Sequence, residues 1–261
     1  MLISIPKIYV MIEYKRVLQE NELRELIRLG TEIPWGFSET EATMPYHTLI
    51  TIIQSGGVIF GAFLEGKIIG YSISTIALKE EYALYLYMLG VSNHHTSKGI
   101  AQQLFLKNKA FAIKNNLNSI YWSFNPLDSK AANLYLHKLN AVIRQSMVHN
   151  MYGFDDTGLP TDRFLAYLNI SPEITKKPII TDHLPENIKI DHSLLDQTNK
   201  FNANKCDNVA IEFPNSLSNI NMKAFISNFR ILFEKYLNNY IIVDFIRFKD
   251  QKKCYYLLNK R

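Results

Sequence analysis

Cysteine is scarce in this chain. Its 261 residues hold two, Cys206 and Cys254, far apart in sequence. They form no CxxC pair, and no histidine cluster beside them has metal-ligand spacing. That excludes a disulfide framework and speaks against a structural metal site. Both thiols are expected to be reduced, and no metal is expected. Long apolar runs are missing as well. The opening stretch MLISIPKIYVMIEYKR is too short and too interrupted to span a bilayer. It also lacks the basic region and small-residue cleavage site of a signal peptide. It reads as a first strand, and the expected location is cytoplasmic with no membrane partner. There is no internal repeat, no low-complexity tract and no block of five or six basic residues, although the formal net charge is +5. Scattered lysines of this kind make a basic surface, so nucleic acid is not expected as a partner. The same mild bias suits a small polyanion.

What remains is an ordinary globular composition, 47% hydrophobic and 20% charged. The length allows one large domain, or one domain and a smaller companion. Residues 8–16 read as a strand. Residues 19–30 carry Leu23, Ile27 and Leu29 among charges and close on Gly30, the pattern of an amphipathic helix with a glycine stop. YHTLITIIQSGG reads as a second helix ending in a glycine pair. Two apolar runs then meet at EGK, a hairpin turn, and LYLYMLGV completes a three-strand antiparallel meander. A helix from residue 98, a strand SIYWSFNP, a helix SKAANLYLHKLNA and a strand VIRQSMVHNMYG follow. The expected order over residues 8–153 is β–α–α–β–β–β–α–β–α–β, with domain boundaries at 1–170, a connector 171–208 rich in Pro, Asp, Asn and Lys, and a small β–α–β–β unit at 209–261.

The chemistry-bearing stretch is GVSNHHTSKGIAQQ, residues 90–103, where a strand runs through a short polar loop into a helix. A helix N-terminus offers free backbone N–H groups and a favourable dipole to a phosphate. Gly99 permits positive φ or close backbone approach, and Ala101 keeps the first helical turn thin. By itself this loop is equally an ordinary strand-to-helix turn.

The strand order together with this loop resembles the GNAT superfamily of acyl-CoA-dependent N-acyltransferases. That family's loop pattern, R/Q-x-x-G-x-G/A, falls on Thr96, Ser97, Lys98, Gly99, Ile100 and Ala101, with Thr96 in place of Arg or Gln. WGFSE, YWSFNPLDSKAANLYLHKLNA, GLPTDRFLA, VAIEFP and IIVDFIRF together resemble one GNAT subgroup with a C-terminal extension. Ala131 and Asn140 stand where that subgroup has Asn and Gly. The resemblance implies an α/β (α+β) GNAT fold: a mixed, mostly antiparallel central sheet flanked by helices. It implies acetyl-CoA or another acyl-CoA as co-substrate, and a small-molecule amine or amino acid as acceptor. A monomer or homodimer is expected. A catalytically degenerate GNAT fold that binds coenzyme A or another ligand, or serves as an interaction module, stays open as the alternative.

The resemblance also distributes roles. Thr96 to Ala101 would hold the pyrophosphate, Leu89, Gly90 and Val91 would meet the thioester at the splayed end of their strand, and Ser129 and Asn133 would touch the pantetheine arm. Tyr135, one residue before the usual position at Leu136, is the candidate acid, with His137 nearby. Tyr85 and Tyr87 alternate onto one strand face; Tyr87 is taken as the second catalytic candidate and Tyr85 as part of the acceptor wall. Trp35, Asn125, Asp162 and Arg163 complete the candidate acceptor residues, Arg163 because its fork suits a carboxylate and Asp162 as its possible structural partner.

Overall fold

The computed structural model describes residues 11–33, 44–79, 81–145, 147–170, 184, 188–195, 201, 206–214, 216–248 and 253–261. The chain divides into two compact units, Met1–Leu117 and Asn118–Arg261.

The first unit is a four-stranded antiparallel sheet between helices. Strand β1 (Glu13–Arg16) pairs with β2 (Val58–Leu64), β2 with β3 (Lys67–Leu78), and β3 with β4 (Tyr82–Val91). The expected EGK hairpin is a two-residue turn with positive φ at both Glu65 and Gly66, so Leu64 lies opposite Lys67. Helices α1 (Glu20–Glu32) and α2 (Tyr46–Gln54) bury Leu23, Leu26, Leu49 and Ile52 against Ile59, Phe63, Ile68 and Ile73. Helix α3 (Ile100–Lys114) buries Ile100 and Leu104 against Val58, Phe60, Ala62 and Ile69. Residues of β2 go to opposite sides in alternation, which is why its whole length is apolar. Helix α1 does not stop at Gly30. Gly30 is buried within it, and the helix ends at Glu32 because Ile33 precedes a proline and is extended.

The second unit adds strands from both ends of its length. Strand β5 (Ser119–Phe124) pairs with β7 (Phe164–Asn169), and β7 with the two-residue β6 (Val142–Ile143). Strand β10 (Tyr240–Phe248) pairs with β6 and with β11 (Lys253–Lys260), which pairs with β9 (Asn208–Phe213). Strand β8 (Lys189–Asp191) lies parallel to β9. Residues 209–261 thus continue the β5–β7–β6 sheet. The strand expected over 142–153 survives only as β6, because the segment after it bends through Asn150 and Gly153, both with positive φ.

Helix α4 (Ser129–Ala132) is capped by Asp128, which accepts from the N–H groups of Lys130 and Ala131. It runs on as a π-helical turn, Asn133–Lys138. Asn140 has φ of 59°, a left-handed state that Asn tolerates better than other side chains. Helix α5 (Met222–Leu237) presents Phe225, Phe229 and Phe233 to Phe164, Phe213 and Tyr256. Tyr256 is fully buried and its hydroxyl donates to the Pro126 carbonyl at 2.5 Å.

Candidate functional site

The loop between β4 and α3 is built from its backbone. Ser92 N–H donates to the Ile69 carbonyl at 2.9 Å, which ties the loop's start to β3. A 3-10 turn follows at Asn93–His95. Ser97 has φ of 64° and Gly99 of 79°, while Lys98 between them is not left-handed. Alternation of hand turns successive N–H groups toward one side, a concavity that suits an anion. Gly99 is the N-cap of α3, and a Cβ added there would meet nothing within 4 Å. Its requirement is therefore the left-handed φ, not crowding from within this unit.

The first-turn N–H groups of Ile100, Ala101 and Gln102 have no acceptor inside the helix. Thr96, Ser97, Lys98 and Gly99 are exposed, whereas Ile100 is buried and pins the helix to the sheet. Close approach is enforced at Gly70, where a Cβ would lie 3.1 Å from the Gly90 carbonyl and 3.2 Å from Ile100. The Lys98 ammonium bends back to the His94 carbonyl at 3.3 Å. The buried Nδ1 of His95 has no hydrogen-bond partner among the described residues. That orphaned atom and the exposed N–H groups are the features a phosphate-bearing group would need here. Sequence pattern gave no reason to single out His95, since histidine-rich polar loops are ordinary.

Leu89, Gly90 and Val91 close β4 opposite Ser72, Tyr71 and Gly70. The alternation expected of Tyr85 and Tyr87 is interrupted. Between Leu86 and Met88 the register shifts, and Tyr87 is the extra residue of a bulge, 54% exposed, while Tyr85 is half-buried opposite Thr75. Trp35 lies outside the described residues.

In the second unit, Tyr135 sits in the π-helical turn with its ring 5.2 Å from Trp122 and 5.4 Å from Phe124, centroid to centroid. Burial first, and the charge of Asp128 second, push its phenol above the ordinary tyrosine value. It is held in the protonated form that an acid requires. Leu136, the alternative position, is fully buried. The Asn133 amide donates to the Phe245 carbonyl at 3.4 Å, and His137 Nδ1 lies 3.2 Å from Asp244, so these two side chains face β10. Ser129 is half-buried at the start of α4.

Asn125 and Asp162 are brought together on the wall of a pocket of about 190 Å³. The Asp162 carboxylate is not paired with Arg163. It accepts from Arg230 Nε at 2.7 Å and Nη2 at 2.6 Å, from a helix whose sequence gave no hint of it. The Arg163 guanidinium lies 5.1 Å from the centroid of the Tyr152 ring. Sequence reading missed the rest of this pocket, Asp128, Asp155 and the α5 residues Met222, Ile226 and Phe229, because they meet only in three dimensions. Among the described residues no group of three or more His, Cys, Asp or Glu has a metal-holding arrangement, and no helix is long and apolar enough to cross a membrane.

Residues 21–140 match the model of the acetyltransferase (GNAT) family. A search of curated proteins finds no match. Among solved structures, the ribosomal-protein-S18-alanine N-acetyltransferase of Escherichia coli aligns with a TM-score of 0.52 at 15% identity, over 65% of this chain and 99% of that one. Arabidopsis thaliana NAA60, solved in complex with a bisubstrate analogue, aligns with a TM-score of 0.50 at 16% identity, over 61% of this chain and 98% of that one. These likenesses show the fold, a mixed α/β GNAT fold, and the family match covers residues 21–140, a little under half of the chain.

Proposed function

We propose that this chain is an acyl-CoA-dependent N-acyltransferase acting on the amine of a small molecule or amino acid. The observation that carries the reading is the exposed, backbone-built concavity at Thr96–Ala101 on the N-terminus of α3. Its donors are main-chain groups, so Thr96 in the position of the family's Arg or Gln costs the site no N–H. The role of the loop is to hold the pyrophosphate, with Ser97 and Gly99 setting the direction of its N–H groups and Ile100 anchoring it. The acyl donor, when bound, supplies an activated thioester carbonyl.

Transfer is direct. The amine nitrogen bonds to the acyl carbon, the carbon–sulfur bond breaks, and one proton passes from nitrogen to a base while the departing sulfur takes one from an acid. Positioning of the two substrates contributes most of the rate. Tyr135 is the assigned acid from its place in the helix after β5, one residue before the position where the resemblance puts the family's tyrosine. Tyr87, exposed at the bulge of β4, is the second candidate for proton transfer.

Calorimetry with acetyl-CoA tests the loop. The native chain is expected to bind, and Gly99→Trp to remove binding while the fold persists, since a Cβ at this exposed position meets nothing within 4 Å. Undiminished affinity in Gly99→Trp overturns the loop assignment. Free-thiol release over a panel of amines tests turnover. Tyr135→Phe should slow that release by about 10²-fold or more at unchanged acetyl-CoA affinity. Binding without thiol release over the whole panel moves the reading to a coenzyme A-binding module.

A further inference from the structure

The pocket in the second unit has a charge balance that the acyl-transfer reading does not use. Its walls are three pieces of backbone held rigidly. In the first, Asn125 Oδ1 accepts from Leu127 N–H at 2.9 Å and Tyr256 ties down the Pro126 carbonyl. In the second, the segment 152–163 that ends in GLPTDR, Asp155 Oδ1 accepts from Thr157 N–H, Thr157 Oγ1 and Leu159 N–H at 2.9, 2.6 and 2.9 Å. Thr161 Oγ1 donates to Gly153 O at 3.0 Å and accepts from Tyr152 N–H at 2.9 Å. The third wall is the first two turns of α5, whose Met222, Ile226 and Phe229 make an apolar floor with Leu159 and Leu217. A concave, pre-formed, largely apolar site with a few fixed polar groups is the usual form of a small-molecule site.

Among the described residues three carboxylates line this pocket, and no Lys, Arg or His does so. Arg230 neutralises Asp162 from behind. Asp128 and Asp155 differ. Each uses Oδ1 to accept backbone N–H groups, which are neutral donors, and neither Oδ2 has a hydrogen-bond partner among the described residues. Asp128 is exposed and Asp155 half-buried, and among the described residues neither has a cationic partner beside the apolar floor.

We infer that this pocket binds a primary ammonium carried on a branched apolar body without a carboxylate, the ammonium at Asp128 and Asp155 and the body against Met222, Ile226 and Phe229. An acid group on the ligand would meet two like charges, so amino-acid amides, peptide N-termini and simple amines fit, and free amino acids do not. Naming this ligand as the acyl acceptor rests on the acyltransferase reading; the binding itself does not.

The test uses the full chain, no acyl donor, and calorimetry with leucinamide, leucine and isoamyl alcohol. Leucinamide should saturate one site, with leucine and the alcohol each about tenfold weaker or worse. Asp128→Asn and Asp155→Asn each keep an oxygen for the N–H groups they cap, and each should weaken leucinamide about tenfold. Leu217→Arg, which sets a competing cation in the pocket, should remove binding and serves as the deciding variant should either Asn variant melt early. No saturable leucinamide binding, equal binding of leucine, or indifference to these variants overturns the inference. Acetyl-CoA affinity measured on the same sample separates the two readings: retained there with leucinamide binding absent, only the pocket assignment fails.

Discussion

The two units bury polarity in different ways. Among the described residues of Met1–Leu117 the fully buried polar side chains are Ser72, Ser74 and Asn108, all neutral. They satisfy one another: Ser74 Oγ donates to Asn108 Oδ1 at 2.7 Å, and Asn108 Nδ2 donates to Ser72 Oγ at 2.7 Å and to the Leu104 carbonyl at 2.8 Å. In Asn118–Arg261 the buried polar set includes the carboxylates Asp162, Asp191 and Asp244. Each is met by a partner distant in sequence, Arg230 for the first, Tyr236 for the second and His137 for the third. A neutral network fixes α3 over the sheet without any charge to desolvate. A buried carboxylate costs more to desolvate and returns that cost only while its partner stays in place. The loop proposed to hold a polyanion thus stands on the unit whose described buried polar side chains are neutral, and the pocket proposed for a cation stands on the unit that buries carboxylates.

The largest effect should come from the aromatic core of the second unit. Phe229 stacks on Phe233 at 4.2 Å and touches Phe164, Phe213 and Tyr256. Phe229→Ala should cost about 3–5 kcal/mol in urea unfolding. Hydrogen exchange should place the loss in residues 118–261. A cost below about 1 kcal/mol would mean that the ring cluster collapses into the space.

Next comes the contrast between charged and neutral burial. Asp162→Ala removes the carboxylate from Arg230, which keeps only Asn150 Oδ1 among the described acceptors, and leaves the Asn150 N–H without its acceptor. About 3 kcal/mol is the expected cost. Asn108→Ala removes one partner from two buried serines and should cost about 2 kcal/mol. The triple change Ser72→Ala, Ser74→Ala, Asn108→Leu removes every polar group of that network and should recover most of the loss. Failure to recover would show that the network fixes α3 by more than satisfied hydrogen bonds.

Gly99 gives a smaller and more local effect. Gly99→Ala must hold φ near 79° with a Cβ, at about 1 kcal/mol, and Gly99→Asn should cost less than Gly99→Ala. Equal costs would show that the loop relaxes out of its left-handed state.

The order of strands and helices was legible in the sequence from hydrophobic period and turn residues, as at Glu65–Gly66 and through the apolar β2. The turn from β4 into α3 was legible because consecutive residues mark it, with Gly99 as the left-handed N-cap. Three things were not. The helix end at Glu32 is set by Ile33 before a proline rather than by Gly30. The bulge that separates Tyr87 from Tyr85 depends on pairing with β3, which periodicity within one strand does not contain. The partner of Asp162 lies 68 residues away on α5, and such a pair leaves no local signature.

The smallest prediction separates two carboxylates that look alike. Burial alone would raise both Glu22 in the first unit and Asp155 in the second, yet both are held below their ordinary range. Glu22 is held down by the Lys15 ammonium at 2.9 Å and by backbone N–H groups of Gln19 and Leu18. Asp155 is held down by the hydroxyl and N–H of Thr157 and by the N–H of Leu159, all neutral donors. A carboxyl whose folded value lies below its unfolded one stabilises the fold above the unfolded value, near pH 4, and loses that contribution as pH falls through the folded value. Both residues should therefore contribute at neutral pH and cease to do so in acid. Salt distinguishes them: at about 1 M the Debye length shrinks to about 3 Å, which weakens the exposed Lys15 contribution and leaves neutral hydrogen bonds intact. Carboxyl titration by NMR in low and high salt should show Glu22 moving upward and Asp155 staying. A matching upward shift at Asp155 would mean that a cation, not the turn, holds it, and the pocket would keep one carboxylate without a cationic partner, not two.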